Sequence, residues 1–572
     1  MTLEIPVKPP RSFIPEDFKV EKWELTEPYF MDLLERKINS KKDLVRWFID
    51  SSELESVLSE DLAWRYIRMT CDTTNEEAVK QYQFFIIEIQ PKAAPYTDKL
   101  NHKALESPFI NDLDQSGYKI MIRNIQTEIK IFREENIPLQ TEIKTEAQKY
   151  GQISGAMTVE VDGKELTLQQ AGVLLQSTDR TLREEVYHKI AQRRLADKKA
   201  LDELYTRLIG LRDKVACNAD FSNFRDYMFD AMGRFDYTPE DCFDFHKSIA
   251  SEVVPLLDDM ASNRKEMLGI TELKPWDKAV DLAGKDALKP FGTGSELLER
   301  SVSAFSKLKP WLGERLSIMK AMGHLDLDSR KGKAPGGYNY PLAETGVPFI
   351  FMNATSTLRD MVTLMHEGGH AVHSFLTKDL ELGAFKNAPS EVAELASMAM
   401  ELLSMDYWEV FFKSEEDLKR AKREHLEQII ETLPWVATID KFQHWVYENP
   451  GHSPHERKES WNRIFDEFSD NITNWDRLQE VKDYLWQKQL HLFEVPFYYI
   501  EYGMAQLGAI AVWKNYRENP QKGLSEYMNA LNLGYTRTIP EIYEMAGIRF
   551  DFSRAYISEL MVFVKSELEK LY

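Results

Sequence analysis

Cysteine is scarce in this chain, and no two cysteines lie close together in the sequence. The 572 residues include three, Cys71, Cys217 and Cys242. The absence of a C-x-x-C pair argues against a disulfide framework and against a zinc site built from thiolates. Such low cysteine usage suits a reducing compartment, so we expect a cytoplasmic protein.

Long apolar runs are also missing. No stretch approaches the roughly 18 to 20 apolar residues that a membrane-spanning helix needs. The N-terminal segment MTLEIPVKPPRSFIPEDF carries prolines and charges and has no apolar signal core. We therefore expect no membrane partner.

Positive charge is in deficit. The chain has 72 Lys and Arg against 93 Asp and Glu, a formal net charge of -21. Nucleic-acid binding depends on clustered Lys and Arg, so we expect no nucleic-acid partner. Hydrophobic residues make up 43% of the chain, enough for a large folded core.

Most of the sequence has the period and composition of helices, which predicts a mainly α fold. One β-hairpin is expected near residues 157–168, where Asp162-Gly163 forms a favoured two-residue turn. A second β-prone run at 347–352 predicts a small sheet. We place a boundary at residue 205, between an N-terminal helical lobe (1–205) and a second lobe (206–572). The clearest helical spans are 62–85, 118–135, 181–214, 239–267 and 295–322.

The segment TLMHEGGHAVH, residues 363–373, has the pattern of a metal-binding helix. His366 and His370 are four residues apart, so their imidazoles project to one point, as a tetrahedral zinc requires. Glu367 lies beside them, where it could reach a water on the metal. An H-[DE]-x-x-H string arises by chance in roughly one such chain in 25, and histidines packed in a core are the alternative. His373 is expected to pack nearby rather than to bind the metal.

Two adjacent glycines, Gly368 and Gly369, interrupt this helix. Each costs about 1 kcal/mol of helix stability relative to alanine. We interpret them as positions where a side chain would block a neighbouring strand, helix or peptide.

The next helix, PSEVAELASMAMEL, is apolar except for three carboxylates, Glu391, Glu394 and Glu401. A buried carboxylate costs several kcal/mol unless it is paired or binds a metal. A zinc held by two histidines lacks a third protein ligand, which one of these glutamates could supply. A half-exposed acidic face is the alternative.

A third segment, HLFEVPFYYIEYGMAQ, groups His491 with Tyr498, Tyr499 and Tyr502. Pro496 suits the first turn of a helix, and Tyr498 and Tyr502 are spaced to lie on one face. An imidazole and phenols near a metal could donate hydrogen bonds to a tetrahedral oxyanion. An aromatic core stripe is the alternative.

HEGGHAVH, PSEVAELASMAMEL and HLFEVPFYYIEYGMAQ, in this order, resemble the oligoendopeptidase F and thimet oligopeptidase family. RKGKAPGGY and PFIFMN upstream also resemble that family, and the resemblance spans roughly residues 115–550. It implies a nearly all-α, two-lobed zinc peptidase, with the catalytic domain in 206–572. A deep channel between the lobes would admit short peptides, and a small β-sheet would lie beside the active-site helix.

Motif matching implies roles for individual residues. His366, His370 and Glu394 would bind one Zn²⁺ per chain, with Glu391 as the rival third ligand and Glu401 behind the ligands. The general base would be Glu367, which activates a zinc-bound water. His491 and Tyr498 match the family's transition-state donors, and Tyr502 is a further candidate.

The function that follows is hydrolysis of internal bonds in short peptides, with the edge of 347–352 pairing with the substrate backbone. An exopeptidase of the same fold that releases dipeptides is the alternative, and a non-catalytic peptide-binding protein is a second. The oligomeric state stays open between a monomer and a homo-oligomer.

Overall fold

The computed structural model describes residues 3–334 and 336–572, so Met1, Thr2 and Pro335 of RKGKAPGGY lie outside the described residues. Helices dominate it, as the sequence predicts. In chain order the elements are α1 (Trp23–Glu35), α2 (Lys41–Cys71), α3 (Glu76–Phe84), α4 (Gln90–Glu106), α5 (Ser116–Ile131), α6 (Asn136–Gly155), β1 (Thr158–Val161), β2 (Lys164–Thr167), α7 (Leu168–Val173), α8 (Arg180–Ala196), α9 (Lys198–Asn218), α10 (Phe224–Ala231), α11 (Pro239–Glu252), α12 (Val254–Met267), α13 (Gly294–Leu308), α14 (Pro310–Met322), β3 (Leu325–Asp328), β4 (Tyr338–Tyr340), β5 (Phe349–Ala354), α15 (Leu358–Thr377), α16 (Gly383–Lys386), α17 (Ser390–Ser404), α18 (Glu415–Glu448), α19 (Pro454–Phe468), α20 (Gln479–Asp483), α21 (Leu490–Glu494), α22 (Tyr499–Glu518), α23 (Pro520–Leu531), α24 (Ile539–Met545) and α25 (Arg554–Glu569).

Most of the long predicted helical spans are each divided into two consecutive helices. The predicted span 62–85 is divided between α2 and α3, where the Asn75 side chain accepts a hydrogen bond from Ala78 N and caps α3. Pro310 occupies the first turn of α14 and separates it from α13. Proline there lacks the N–H that a continuous helix would use. The helical assignment is confirmed, but its continuity was wrong at these breaks.

The β-hairpin is confirmed. Strands β1 and β2 pair antiparallel from Thr158 opposite Thr167 to Val161 opposite Lys164. Asp162 and Gly163 make the turn with φ of 50° and 69°, the left-handed values that this two-residue turn requires.

The second sheet has the order β3-β5-β4 and includes the predicted strand 347–352. That strand, β5, is central, because it pairs in parallel with β3 and antiparallel with β4. The expectation that a substrate pairs with its edge is therefore wrong, since both edges are occupied. The short edge strand β4 forms a hydrogen bond to the histidine helix: Asn339 Nδ2 donates to Glu367 O at 3.2 Å.

The core is divided into clusters of buried apolar side chains. One cluster is built from the first 125 residues together with Leu382 and Phe385, and the largest runs from Ala147 to Leu568. The boundary proposed at residue 205 stays a prediction. Within the described residues, no helix has the length and apolar character that crossing a membrane requires.

Candidate active site and metal centre

Helix α15 presents the two histidines, and its first turn is fixed locally. Thr357 accepts a hydrogen bond from Asp360 N, and the Asp360 carboxylate accepts one from Thr357 N, which forms a capping box. His366 and His370 then lie one turn apart with ring centroids 4.9 Å from each other.

The glycine pair lets α15 pack closely against its neighbours. A Cβ on Gly369 would lie 2.5 Å from Ala396 O and 2.6 Å from Ser397 Cα, both in the backbone of α17. A Cβ on Gly368 would lie 2.7 Å from the ring of Phe305 in α13. The interpretation of close approach is confirmed, and the neighbour at Gly369 is the helix that carries the glutamates.

Glu394 of α17 faces both histidines. Its Oε2 is 3.3 Å from His366 Nε2 and 3.7 Å from His370 Nε2. One ligand atom from each of these three residues lies within 4.8 Å of the other two. Two imidazoles and one carboxylate, with a position left open, make the donor set of a catalytic zinc site, so the residues fit the metal that the sequence implies.

The other two glutamates have different partners. Glu391, only 2% exposed, accepts a hydrogen bond from Tyr237 OH at 2.6 Å. Glu401 Oε1 lies 2.6 Å from His366 Nδ1, and its Oε2 lies 3.5 Å from His425 Nε2. Glu401 thus lies on the His366 nitrogen that faces away from Glu394, where a carboxylate would fix the tautomer of a ligating histidine.

Burial and charge set the protonation of this group. Burial lowers the pKa of His370 to about 4, which keeps it neutral as a ligand must be. For Glu394, burial opposes ionisation, but the hydrogen bond and charge of His366 and the hydrogen bond from Tyr498 hold the pKa at about 2. The carboxylate is therefore ionised before any metal binds.

Glu367 lies beside the ligands and is 7% exposed. Its Oε2 has no hydrogen-bond partner among the described residues. Burial raises the pKa of Glu367 to about 7, with His366 opposing the shift and the Glu394 charge adding to it. A dication nearby would lower this pKa. A carboxylate with a free oxygen and a pKa near neutrality suits proton transfer.

His491 and the tyrosines do not share one helix. His491 lies on the five-residue helix α21, while α22 begins only at Tyr499. Between them the chain turns at Phe497, whose φ is 67°. The prediction that Pro496 lies in a helix's first turn was wrong, because the left-handed backbone at Phe497 interrupts the helical path.

The break still leaves the predicted aromatic residues together. The His491 ring lies 4.9 Å from Tyr499, 5.8 Å from Tyr502 and 6.2 Å from Tyr498. The Tyr498 hydroxyl donates to Glu394 Oε1 at 2.8 Å, which ties it to the carboxylate oxygen that faces away from the histidines. Burial and the Glu394 charge raise the pKa of Tyr502 far above its usual range, so its hydroxyl keeps its proton.

Two residues that the sequence did not single out fix the tautomer of His491. Trp435 Nε1 donates to Gln489 Oε1 at 3.0 Å, and an indole nitrogen can only donate. The Gln489 amide nitrogen therefore faces His491 Nδ1, at 2.7 Å, and donates to it. Burial lowers the pKa of His491 to about 4, so the neutral ring carries its proton on Nε2.

Family models match most of the chain. The model described as "Peptidase M3 N-terminal domain" matches residues 13–132, and the model described as "Peptidase family M3" matches residues 173–562, which include all three segments of the site. The chain belongs to peptidase family M3.

Relatives in this family extend the likeness along the chain. An oligoendopeptidase F homolog of Lactococcus lactis is 25% identical over 341 residues. The match covers 59% of this chain and 55% of that protein. One of Borreliella burgdorferi is 22% identical over 558 residues, 93% of this chain and 90% of that protein. The solved structure of a PZ peptidase A with an inhibitor is similar to this chain, with a TM-score of 0.90 and 26% identity. The match covers 97% of this chain and 99% of the PZ peptidase A chain. The oligoendopeptidase F part of the resemblance is confirmed.

The break between α21 and α22 in this family M3 chain is held by buried polar residues that the sequence analysis missed. Arg212 donates from Nη1 to Leu492 O at 2.9 Å. Gln443 Oε1 accepts from Phe497 N at 2.7 Å, and Arg234 donates to Phe497 O. These contacts satisfy backbone groups that no helix ladder uses, and they fix the turn that carries Tyr498.

Proposed function

We propose that this family M3 chain is a zinc endopeptidase that hydrolyses internal bonds of short peptides. The observation that carries the proposal is the convergence of His366, His370 and Glu394 beside a Glu367 oxygen that has no hydrogen-bond partner among the described residues. A closed structural zinc site needs four protein ligands and no base. Three ligands with a buried carboxylate beside them favour catalysis instead.

The metal at this site would be one Zn²⁺ per chain, held by His366, His370 and Glu394. When bound, zinc supplies Lewis-acid chemistry that acidifies water and polarises a carbonyl. Glu401 would hold His366 from its outer nitrogen, and Tyr498 would hold Glu394 through the hydrogen bond to Oε1. Such outer contacts orient ligands and tune metal affinity.

Proton transfer falls to Glu367. Its free Oε2 takes a proton from the attacking water and delivers it to the nitrogen of the leaving amine. The carbonyl oxygen gains negative charge in the transition state, and His491 Nε2–H and the Tyr502 hydroxyl are its proposed donors. Tyr498, which the sequence matched to that role, is already bound to Glu394, so we propose that it acts by orienting this ligand.

The substrate backbone would pair with β4 rather than with β5. Among the described residues, no backbone hydrogen bond joins the outer edge of Tyr338–Tyr340 to another element. This edge is next to the metal site, because Asn339 bonds to the backbone of Glu367. Backbone pairing on an open edge binds an extended peptide with little regard to its side chains.

The N-terminal helices would limit substrates to short peptides. The ring of Tyr66 in α2 packs against both Tyr338 and Tyr340, with ring centroids 5.3 and 5.6 Å away. The N-terminal helices thus pack against the strand with which the substrate would pair, an arrangement that supports a channel between the lobes.

The test is peptide hydrolysis by wild type and by Glu367→Gln. We expect chelator-sensitive cleavage of a short peptide by wild type. The variant should keep its zinc by metal analysis and lose at least about 10²-fold in kcat, because the general base is gone. Wild-type turnover by the variant would refute the base. No cleavage by wild type would leave a peptide-binding protein, and product masses showing terminal dipeptides would indicate an exopeptidase.

A further inference from the structure

A second group of metal-binding side chains lies in the core, outside the candidate active site. Helix α11 contributes Cys242 and His246, and α18 contributes Asp440 and His444, each pair four residues apart. All four are at most 2% exposed. One ligand atom from each of Cys242, Asp440 and His444 lies within 4.8 Å of the other two. Two neighbouring helices therefore each turn an i, i+4 pair toward one point.

Several polar atoms of this group have no partner. Among the described residues, Asp440 Oδ1 and both ring nitrogens of His444 accept or donate no hydrogen bond. Asp440 Oδ2 lies 2.9 Å from His246 Nε2 and 3.3 Å from His444 Nε2, and no lysine or arginine of the described residues pairs with it. The nearby Arg234 pairs with Glu501 instead. Native cores leave few buried polar atoms unsatisfied.

We propose that Cys242, Asp440 and His444 bind a second divalent cation, a Zn²⁺ that joins α11 to α18. Sulfur and imidazole donors select zinc over magnesium or calcium, which prefer oxygen. Ligand atoms about 2.0–2.3 Å from a tetrahedral zinc lie about 3.3–3.8 Å from each other. The 3.3 Å between Asp440 Oδ2 and His444 Nε2 meets that spacing.

Charge balance also favours a dication. An ionised thiol and an ionised carboxylate, with neutral imidazoles, cancel a charge of +2 in a site without solvent. His246 would orient Asp440 through the hydrogen bond between its Nε2 and Asp440 Oδ2, as outer partners of metal ligands do.

The cluster lies among aromatic rings. The His444 ring packs 4.9 Å from Phe243 and 5.5 Å from Phe497. The adjacent Gln443 holds the backbone of Phe497, so a metal here would stiffen the support of the tyrosine segment. The inference does not depend on the proposed function.

Metal content of the full-length protein tests the proposal. After purification with zinc, we expect wild type to carry two equivalents and His366→Ala/His370→Ala to keep one. Adding Cys242→Ala to that double variant should remove the remaining zinc, whereas the matched control Cys217→Ala, on the surface, should not. No zinc in the double variant, or zinc in it that Cys242→Ala does not remove, would overturn the proposal.

Cobalt substitution keeps the test decisive if Cys242→Ala fails to fold. A cysteine thiolate bound to Co²⁺ gives an intense near-ultraviolet charge-transfer band, which the histidine and carboxylate ligands of the first site cannot produce. We expect this band in wild type and in Cys71→Ser/Cys217→Ser, and its absence would overturn the proposal. If a water fills the cluster instead, the band is missing and the zinc content stays at one.

Discussion

Replacing Gln489 with glutamate should remove the hydrogen-bond donor at His491 Nε2 and leave the metal ligands unchanged. In the wild type, Trp435 fixes the amide so that its nitrogen donates to His491 Nδ1. In Gln489→Glu the indole still donates to one oxygen, and the second oxygen faces Nδ1. That oxygen can only accept. A neutral His491 must then carry its proton on Nδ1, and Nε2 is left without a hydrogen to donate.

The size of the effect follows from the loss of one donor to the oxyanion. Removing one such donor lowers kcat by about 10²–10³-fold, or about 2.7–4 kcal/mol. The loss depends on pH, because the new carboxylate should raise the pKa of His491 from about 4 by roughly 1 to 3 units. Below the raised pKa the ring is an imidazolium with both nitrogens protonated, so the Nε2 donor returns.

The assay is the pH profile of kcat on a short peptide, with zinc content measured beside it. We expect Gln489→Glu to recover relative to wild type as the pH falls, with its zinc retained. Gln489→Leu is the matched control: it leaves Nδ1 unpartnered, so both tautomers are populated and the loss should be small and independent of pH. A kcat equal to wild type above neutrality, or an equal loss at every pH, would refute the assignment of the tautomer.

Three further outcomes concern the ligands and their packing. Glu394→Ala should lose one equivalent of zinc and its activity, whereas Glu391→Ala should keep both metals; metal analysis that shows the reverse would make Glu391 the ligand. Tyr498→Phe should lower zinc affinity or activity by about 10–100-fold, but Tyr502→Phe should lower kcat without changing zinc affinity in a metal titration. Gly369→Ala should destabilise the protein by about 1–3 kcal/mol in a denaturant titration, because its Cβ meets the α17 backbone, and a gain in stability would refute that packing.

The sequence predicted the parts of the site that depend on the spacing of residues close together in the chain. The i, i+4 relation of His366 and His370 brings their rings together on any helix. The free-energy cost of burying an unpaired carboxylate predicted that the glutamates of α17 have polar or metal partners. The turn at Asp162-Gly163 is equally local, since it needs left-handed backbone at both residues. Each inference used at most a few neighbouring positions.

The strand order illustrates what such reasoning misses. Periodicity identified β5, but the three-residue strand β4 is too short to show alternation. Whether β5 lies at an edge or in the centre depends on whether another segment pairs with it. The sequence therefore predicted the sheet and placed the substrate on the wrong strand.

The sequence does not predict which partner each buried carboxylate has. Glu391 and Glu394 both needed a partner in the core, and both were candidate ligands, because the free-energy cost of burying a carboxylate does not identify the group that offsets it. Tyr237, 154 residues earlier, takes Glu391, and that contact leaves Glu394 to face the histidines. The same reasoning applies to Asp440, where the described residues supply two histidines and a thiol but no lysine or arginine. A buried carboxylate whose partners are all potential metal ligands points to a metal for the same reason that Glu394 does.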